Sequence, residues 1–265
     1  MTRFFTIFSR CVTIRSAERR SSERNTKAMK KNTKRLLITG IIMITLFAVW
    51  TLLIQTVDVQ AVGQNGTDIG FAGLNVWFHK TTGVHMWIYT VTDWLGLVPV
   101  FICMVFGVVG LVQLISKKSL LKVDKDIILL GVYYILVIVG YIIFEMIPIN
   151  YRPILIEGRM EASYPSSTTL LVMSVMPTLA FQARRRIKNK TVRYCIYAFT
   201  VIFTAAMVVG RTVAGVHWLT DIIGSLLLST GLYLIYHGSV MLIENNNTRR
   251  KDYGISRKTA GAAKS

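Results

Sequence analysis

Long apolar runs, separated by short polar segments, dominate the chain. A helix that crosses a bilayer needs about 20 mostly apolar residues, and six runs reach or approach that length. They cover roughly residues 36–57, 86–115, 127–149, 166–183, 194–210 and 218–243. The strands of a transmembrane β-barrel would instead alternate apolar and polar positions, and these runs are continuous. The pattern predicts an all-α, polytopic membrane protein built as a bundle of six transmembrane helices.

Basic residues indicate how the bundle is oriented. Of the 31 Lys and Arg residues, 27 lie in four of the polar segments. These segments are 1–35, 116–126, 184–193 and 244–265. Because basic residues accumulate on the cytoplasmic side of a membrane, both termini are predicted to be cytoplasmic. Segments 58–85, 150–165 and 210–217 then face the exterior of a plasma membrane.

Composition agrees with a membrane protein and narrows the functional classes. Hydrophobic residues make up 52% of the chain, charged residues only 17%, and the mean hydropathy is +0.49, which excludes an ordinary soluble domain. The net charge of +18 is distributed between apolar runs, so it is interpreted as a topology signal and no nucleic-acid partner is expected. The three cysteines are widely separated, and neither a disulfide nor a zinc site is expected.

The predicted domain organisation is a membrane domain between two basic tails. Residues 1–35 are expected to form a cytoplasmic tail, of which 1–28 are disordered or an extension upstream of a start at Met29. The six-helix membrane domain covers 36–243, and a second basic cytoplasmic tail covers 244–265. Four tryptophans are interpreted as an exterior interfacial belt. They are Trp77, Trp87, Trp94 and Trp218.

Acidic residues inside the apolar runs are expensive in a bilayer and point to a site. The three are Asp93, Glu145 and Asp221. If the last helix begins near residue 216, His217 and Asp221 lie at i and i+4 on one side of it. Asp221 is then placed to accept the proton of one imidazole nitrogen and leave the other nitrogen free as a nucleophile or base. Asp93 is expected to be a structural partner of an arginine or a member of a buried charge network.

Two arginines and a helix start belong to the same predicted exterior layer. Arg211 precedes His217 by six residues, and Arg152 follows the third apolar run. Guanidinium groups match phosphate oxygens geometrically and stabilise the charge of phosphoryl transfer. Ser166 and Ser167 follow a proline at the start of the fourth run, where free N–H groups of a helix N-terminus favour an anion. These residues together predict a site that binds and cleaves a phosphate ester.

At these residues the sequence resembles the type 2 phosphatidic acid phosphatase superfamily, whose membrane members are six-helix lipid phosphatases. The superfamily signature has three parts, K-x6-R-P, P-S-G-H and S-R-x5-H-x3-D. The matching positions here are Arg152-Pro153, Pro165-Ser166, Arg211, His217 and Asp221. The resemblance covers about residues 127–243.

The resemblance implies a role for each matched residue. His217 would be the nucleophile that forms a phosphohistidine, and Asp221 would orient it. Arg152, Arg211 and Ser166, with Ser167 beside it, would hold the phosphate. The resemblance implies no metal and no cofactor.

Three positions depart from the signature. Glu145 stands at the position of the lysine in the first part, Gly210 at the serine of the third, and Thr168 at the histidine of the second. In the superfamily that histidine protonates the leaving group, a contribution that is typically ~10²–10⁴-fold in rate. A carboxylate at Glu145 weakens anion binding unless it pairs with Arg152 or Arg211.

Two interpretations of these departures remain open. In the first, the leaving group departs readily without an acid, as a monophosphate does, which favours a polyprenyl diphosphate over phosphatidic acid. Another exterior group would otherwise replace the acid, and four residues are candidates. They are His79, His85, Glu161 and Tyr164. In the second, the chain binds a lipid phosphate without turning it over.

The sequence therefore predicts a membrane phosphatase of lipid phosphates or diphosphates at the exterior leaflet, with a non-catalytic lipid-phosphate binding protein as the alternative. A transporter or channel is disfavoured because the polar residues cluster at one membrane face. The expected partners are the lipid substrate and membrane lipids, and the sequence leaves the oligomeric state open.

Overall fold

The computed structural model describes the backbone of residues 2–262 and the side chains of residues 27–247. Eight α-helices occur in this part of the chain. They are α1 (Thr2–Ile54), α2 (Ala72–Thr82), α3 (Met86–Leu95), α4 (Leu97–Lys117), α5 (Lys125–Met146), α6 (Ser167–Arg186), α7 (Lys190–Val213) and α8 (Leu219–Ala262). Strand pairing in residues 2–262 is limited to three isolated bridges, so the all-α prediction is confirmed.

The chain forms two compact units. The larger one, residues 39–236, contains all the residues of the predicted site. The other consists of residues 1–38 and 237–265, and in it the Asn245 side chain donates a 2.9 Å hydrogen bond to Thr33. The predicted tails fall largely on residues whose side chains lie outside the described part, so their disorder and boundaries stay predictions.

Five helical segments are long and apolar enough to cross a membrane, among the residues that the structure describes. They are Lys27–Ile54, Met86–Lys117, Lys125–Met146, Lys190–Val213 and Leu219–Asn247. Large apolar side chains such as Ile115, Ile135 and Ile202 are more than 60% exposed on them. An apolar outer surface of this kind needs lipid rather than water around it. The chain is a multi-pass membrane protein.

The sixth predicted span is a helix, α6, but it is not one of these five segments. Its polar residues are the reason, because Ser174, Thr178 and Gln182 face inward and are at most 1% exposed. Other helices satisfy the side chains of Thr178 and Gln182. The Tyr134 hydroxyl on α5 is 2.7 Å from Thr178 Oγ1, and Gln182 donates to Tyr236 of α8. A helix surrounded by protein does not need an apolar outer face.

The core of the larger unit lies around α6, which packs against α4, α5 and α7. Five buried side chains from α4, α6 and α7 form its apolar cluster. They are Ile102, Val172, Val175, Met176 and Met207. Because α6 occupies the centre of the bundle, its first turn has a fixed position against the neighbouring helices.

Prolines and glycines set two of the helix boundaries. The second apolar run is divided into α3 and α4 at Gly96, three residues before Pro99, whose ring nitrogen has no N–H to bond to the preceding turn. The helix α5 ends at Met146 because Ile147 precedes Pro148 and is driven out of the helical region.

Three connections meet at the end of the bundle that carries His217, here called the site end. The Gln64 side chain, between α1 and α2, donates to the carbonyl of Pro153 at 2.7 Å. The Trp218 indole donates to the carbonyl of Tyr151 at 2.8 Å. Segments 55–71, 147–166 and 214–218 are thereby tied together around the site.

The tryptophan belt is only partly as predicted. Trp77, Trp87 and Trp94 are 62–71% exposed near the site end, as an interfacial belt requires. Trp218 is 3% exposed, so its assignment to the belt was wrong. Its indole holds the connection before α6 in place instead.

Candidate active site

A short hairpin between α5 and α6 carries Arg152 and Ser163. Ile156 and Arg159 exchange both backbone hydrogen bonds around Glu157 and Gly158, whose φ angles of 49° and 76° are those of a two-residue hairpin turn. The pairing continues toward the bundle. The Arg152 N–H donates to the Glu161 carbonyl, and the Ser163 N–H donates to the Asn150 carbonyl at 2.9 Å.

The connection between α7 and α8 places His217 at the site end. Gly215 has a φ of 71°, and a Cβ there would lie 2.1 Å from the carbonyl oxygen of Gly83, so only glycine fits. The helix α8 begins at Leu219, three residues later than the expected start near 216. His217 therefore precedes the helix, whereas Asp221 lies in its first turn.

The carboxylate of Asp221 turns back toward the start of its own helix. Its Oδ2 atom accepts the Trp218 N–H at 2.9 Å, the arrangement of a capping box. This orientation leaves the carboxylate 3.9 Å from Nδ1 of His217, too far for a hydrogen bond. The direct hydrogen bond expected from the i, i+4 spacing is therefore not formed.

Ser163 lies between the two residues. Its hydroxyl donates to Asp221 Oδ2 and is 3.0 Å from His217 Nδ1. Asn150 donates to the other carboxylate oxygen of Asp221 at 3.3 Å. Sequence reasoning missed Ser163 and Asn150, which lie in the connection before α6 and far from Asp221 along the chain. The predicted exterior placement of segment 150–165 was the available signal.

The two arginines share one aromatic surface. The guanidinium carbons of Arg211 and Arg152 lie 4.9 and 5.9 Å from the centre of the Tyr89 ring, on α3. Such contacts are attractive because the face of the ring carries negative charge. Arg211, 1% exposed, also forms an ion pair of 3.5 Å with Asp93. Asp93 is thus the arginine partner that the sequence analysis anticipated, and Tyr89 was missed.

A cavity of about 180 Å³ opens beside His217. Its other lining residues come from α5, the hairpin and the start of α6. They are Tyr141, Phe144, Glu145, Arg152, Glu161, Ala162, Tyr164, Pro165 and Ser167. Nε2 of His217 and the NH1 nitrogen of Arg152 are buried without a hydrogen-bond partner among the described residues. A buried guanidinium nitrogen with an open donor position favours an anionic ligand.

Glu145 and Glu161 bring two carboxylates to this cavity. Arg152 pairs with Glu161 at 3.1 Å, and Arg211 pairs with Asp93. Each arginine forms its ion pair with a carboxylate other than Glu145, so the pairing that would offset the effect of Glu145 on anion binding is not formed. Glu145 instead lines the cavity as an exposed carboxylate, where it opposes the binding of an anion.

Four predicted site residues lie outside the cavity lining, namely Arg211, Asp221, Ser166 and Thr168. Ser166 is fully buried, and its hydroxyl donates to Thr169 at 3.1 Å, whereas its neighbour Ser167 lines the cavity. Thr168 points its methyl group toward α4, about 3.5 Å from the position that a Cβ of Gly96 would occupy. Thr168 is therefore no source of a proton for the cavity.

Of the four candidates for a replacement acid, two line the cavity. Glu161 does, with its carboxylate held by Arg152. Tyr164 also does, but its hydroxyl is 2.7 Å from that of Thr51 on α1 and burial raises its pKa. His79 packs against Trp218, and the His85 ring contacts the Thr82 carbonyl. Neither histidine lines the cavity.

The surroundings of His217 keep its imidazole neutral. Burial lowers the pKa of His217 well below its usual value, and the positive charges of Arg152 and Arg211 lower it further. A neutral imidazole retains a lone pair on one nitrogen, which is the form that acts as a nucleophile.

Comparison with known proteins shows which family and which solved structure this chain is similar to. The model of the PAP2 superfamily matches residues 129–243, from α5 to α8. This match covers less than half of the chain. A solved structure similar to this chain is that of a transmembrane PAP2 type phosphatidylglycerolphosphate phosphatase from Bacillus subtilis, with a TM-score of 0.55 and 15% sequence identity. The match covers 77% of this chain and 96% of that one. A comparison with curated proteins finds no match.

The PAP2 region holds most of the site but not all of it. Arg152, Ser163, His217 and Asp221 lie within it, whereas Tyr89, the aromatic support of the two arginines, precedes it. The Asn75 side chain on α2, which donates to the Thr220 hydroxyl at 3.0 Å, also precedes it. The helices α2 and α3 therefore support, at the site end, the region that the family model matches.

Proposed function

We propose that the protein is a membrane phosphatase that removes a phosphoryl group from a lipid phosphate or diphosphate through a phosphohistidine at His217. One observation carries the proposal. His217 lines the cavity with an unpartnered Nε2, beside an arginine with an unpartnered nitrogen. A nucleophile next to an anion-binding donor is the minimum that phosphoryl transfer to a protein side chain requires.

The reaction takes place in two steps. Nε2 of His217 attacks phosphorus, an N–P bond forms, and the bond from phosphorus to the leaving oxygen breaks. Arg152 and the N–H groups at the start of α6, near Ser167, bind the non-bridging oxygens, and Arg211 adds positive charge behind them. A water molecule then attacks phosphorus, the N–P bond breaks, and inorganic phosphate is released.

The residue at the superfamily's acid position, Thr168, lies outside the cavity lining, and this favours a diphosphate substrate. When a lipid diphosphate loses its terminal phosphoryl group, the leaving group is a monophosphate, which departs without being protonated. The leaving group of phosphatidic acid is an alkoxide, which needs an acid. Thr168 faces Gly96, and the Glu161 carboxylate is paired with Arg152. A polyprenyl diphosphate is therefore the preferred substrate class.

The site is proposed to face the exterior of the plasma membrane. Segments 58–85, 150–165 and 210–217 contain only four of the 31 basic residues, which supports an exterior position. Two exposed positions test this in intact cells, in a background in which Cys11, Cys103 and Cys195 are replaced by serine. A membrane-impermeant maleimide should label Glu157→Cys and not Lys188→Cys. The reverse pattern would overturn the orientation.

Phosphate release tests the activity itself. Purified protein in detergent is given a polyprenyl diphosphate or phosphatidic acid, with His217→Ala in parallel. We expect release from the diphosphate to exceed release from phosphatidic acid and to vanish in the variant. Release that persists in folded His217→Ala would refute the proposed nucleophile, and a preference for phosphatidic acid would refute the leaving-group argument.

The position of Thr168 favours a second candidate function, a protein that binds a lipid phosphate without hydrolysing it. Thr168→His distinguishes the two, because it places an imidazole, which can act as an acid, at the position of the superfamily histidine. A phosphatase with a weak acid function should hydrolyse phosphatidic acid faster with this histidine. No phosphate release from either lipid, by wild type or variant, together with binding of the diphosphate, would establish the binding protein.

A further inference from the structure

We propose that Ser163 is a positioning residue that links Asp221 to His217 and holds the imidazole in the tautomer whose Nε2 carries the free lone pair. This inference rests on the proposed phosphatase function for its kinetic consequence, but its structural part is independent of turnover. The residue acts through His217 and not on the substrate.

Three distances define the link. The Ser163 hydroxyl is 2.5 Å from Asp221 Oδ2 and 3.0 Å from His217 Nδ1, whereas the histidine and the carboxylate are 3.9 Å apart. The 2.5 Å distance between the two oxygen atoms and the 3.0 Å distance between nitrogen and oxygen are both within the range of hydrogen bonds. The serine hydroxyl is therefore the atom through which the carboxylate acts on the imidazole.

The number of protons available fixes the direction of both hydrogen bonds. An ionised carboxylate only accepts, and Oδ2 of Asp221 already accepts the Trp218 N–H. The single hydroxyl proton of Ser163 must therefore go to Asp221. Its oxygen is left to accept from His217, so the imidazole proton is on Nδ1. In the neutral ring Nε2 then has no proton, and Nε2 is the atom without a partner beside the cavity.

The surrounding backbone keeps the serine in this position. The Ser163 N–H donates to the Asn150 carbonyl, and the Asn150 side chain donates to Asp221 Oδ1. Ser163, His217 and Asp221 are each at most 4% exposed. Because water has little access, the partners of Nδ1 come from Ser163, whose hydroxyl lies beside it and whose backbone also forms a hydrogen bond with the ring, and they specify the tautomer.

The link also matters after the attack. When Nε2 bonds to phosphorus, the imidazole ring becomes positively charged while Nδ1 keeps its proton. The charge is then stabilised through the Ser163 hydroxyl by the carboxylate of Asp221, in a site where Arg152 and Arg211 oppose a further positive charge.

Three substitutions separate the hydroxyl from the space it occupies. Ser163→Ala removes the hydroxyl, Ser163→Cys preserves the size with a weak hydrogen-bonding group, and Ser163→Thr preserves the hydroxyl. Loss of a group that orients a ligand or nucleophile typically costs ~10–100-fold. We expect kcat to fall by about that factor in the alanine and cysteine variants, with KM within about threefold, and to recover in the threonine variant.

Ser229→Ala is the matched control. Ser229 is a buried serine two helical turns beyond Asp221, and its hydroxyl donates within α8 to the Ser225 carbonyl at 2.7 Å. Removal of the Ser229 hydroxyl shows how much kcat falls when a buried serine hydroxyl away from His217 is lost. We expect kcat of Ser229→Ala to remain within about twofold of wild type.

The tautomer is measured directly by nitrogen NMR of protein labelled with ¹⁵N-histidine, with the signals of His217 identified by their absence from His217→Ala. We expect the proton on Nδ1 in wild type and in Ser163→Thr, and its partial transfer to Nε2 in the alanine and cysteine variants. A wild-type proton on Nε2 would overturn the proposal, as would a tautomer unchanged by Ser163→Ala and Ser163→Cys. If wild type releases no phosphate, the proposed function fails, and the NMR result alone decides the role of Ser163.

Discussion

Nδ1 of His217 and Oδ2 of Asp221 are 3.9 Å apart and joined through a third residue, the serine at position 163. The Asp221 carboxylate accepts three hydrogen bonds. The donors are the Trp218 N–H at the start of its own helix, the Asn150 side chain and the hydroxyl of that serine. Asp221 consequently influences the nucleophile through its charge and through an oriented hydroxyl, and not through a direct hydrogen bond.

Asp221→Asn should lower kcat by about 10²-fold or more. The amide keeps an acceptor for Ser163 but removes the negative charge that stabilises the imidazole once Nε2 is phosphorylated. KM should change little because Asp221 does not line the cavity. The measurement is steady-state phosphate release from a polyprenyl diphosphate. A change confined to KM would contradict the assignment of Asp221 to the nucleophile.

Glu145→Lys should strengthen substrate binding. Glu145 is an exposed carboxylate on the cavity wall that opposes an incoming phosphate, and reversing its charge is expected to lower KM by about tenfold, on the order of 1.4 kcal/mol. Glu145→Gln should give a smaller decrease in the same direction. Equal KM values for wild type and both variants would show that the phosphate binds elsewhere.

Glu161→Gln tests the ion pair with Arg152. The carboxylate competes with a phosphate for the guanidinium, so its neutralisation should lower KM for the diphosphate while kcat stays within about threefold. Glu157→Gln, in the exposed hairpin turn, serves as a control with unchanged kinetics. A large fall in kcat in Glu161→Gln would instead identify Glu161 as the acid that protonates the leaving group.

The fold could be predicted from hydrophobic runs because a bilayer imposes their length, and five of the six runs correspond to apolar helical segments. The helix α6 marks the limit of this approach. Its inward polar residues, such as Thr178 and Gln182, are satisfied by hydroxyls of Tyr134 and Tyr236 from other helices. Hydropathy along one segment contains no information about such partners.

Residue type and position predicted members of the candidate site, whereas the contacts between side chains of different segments were not predictable. Arg152, Arg211 and His217 follow from spacing and residue type. The role of Ser163 depends on a two-residue turn at Glu157 and on a helix that begins at Leu219. If the turn or the start of the helix were shifted by one residue, a different side chain would face Asp221. Spacing alone therefore predicts a direct hydrogen bond between His217 and Asp221, which the structure does not contain.

The pH dependence of kcat/KM should reflect the lowered pKa of His217. The imidazole is the nucleophile when neutral, which holds above its pKa in the folded protein, and burial with two nearby arginines lowers that pKa. Activity should therefore persist as the pH falls below about 6.5, the value of a free histidine, and decline only well below it. In Arg152→Gln the acid limb should move upward. An acid limb near or above 6.5 in wild type would contradict the environment described for His217.

The same shift predicts a stability effect with a defined sign. Between the lowered pKa in the folded state and about 6.5, the unfolded chain binds a proton that the folded protein does not. The contribution of neutral His217 to the free energy of unfolding is therefore fully present above about pH 6.5 and decreases as the pH falls below that value. Thermal unfolding in detergent should show a smaller loss of Tm on acidification in His217→Gln than in wild type. An equal loss in both would contradict this prediction.

Trapping the covalent intermediate tests the central claim most directly. Protein mixed with a polyprenyl diphosphate carrying a labelled terminal phosphoryl group is quenched rapidly in alkali, where phosphohistidine survives, and the labelled peptide is identified by mass spectrometry. We predict label on the peptide that contains His217 in wild type, and none in His217→Ala. Phosphate release by wild type without label on that peptide, or label on the protein in His217→Ala, would contradict the assignment of His217 as the nucleophile.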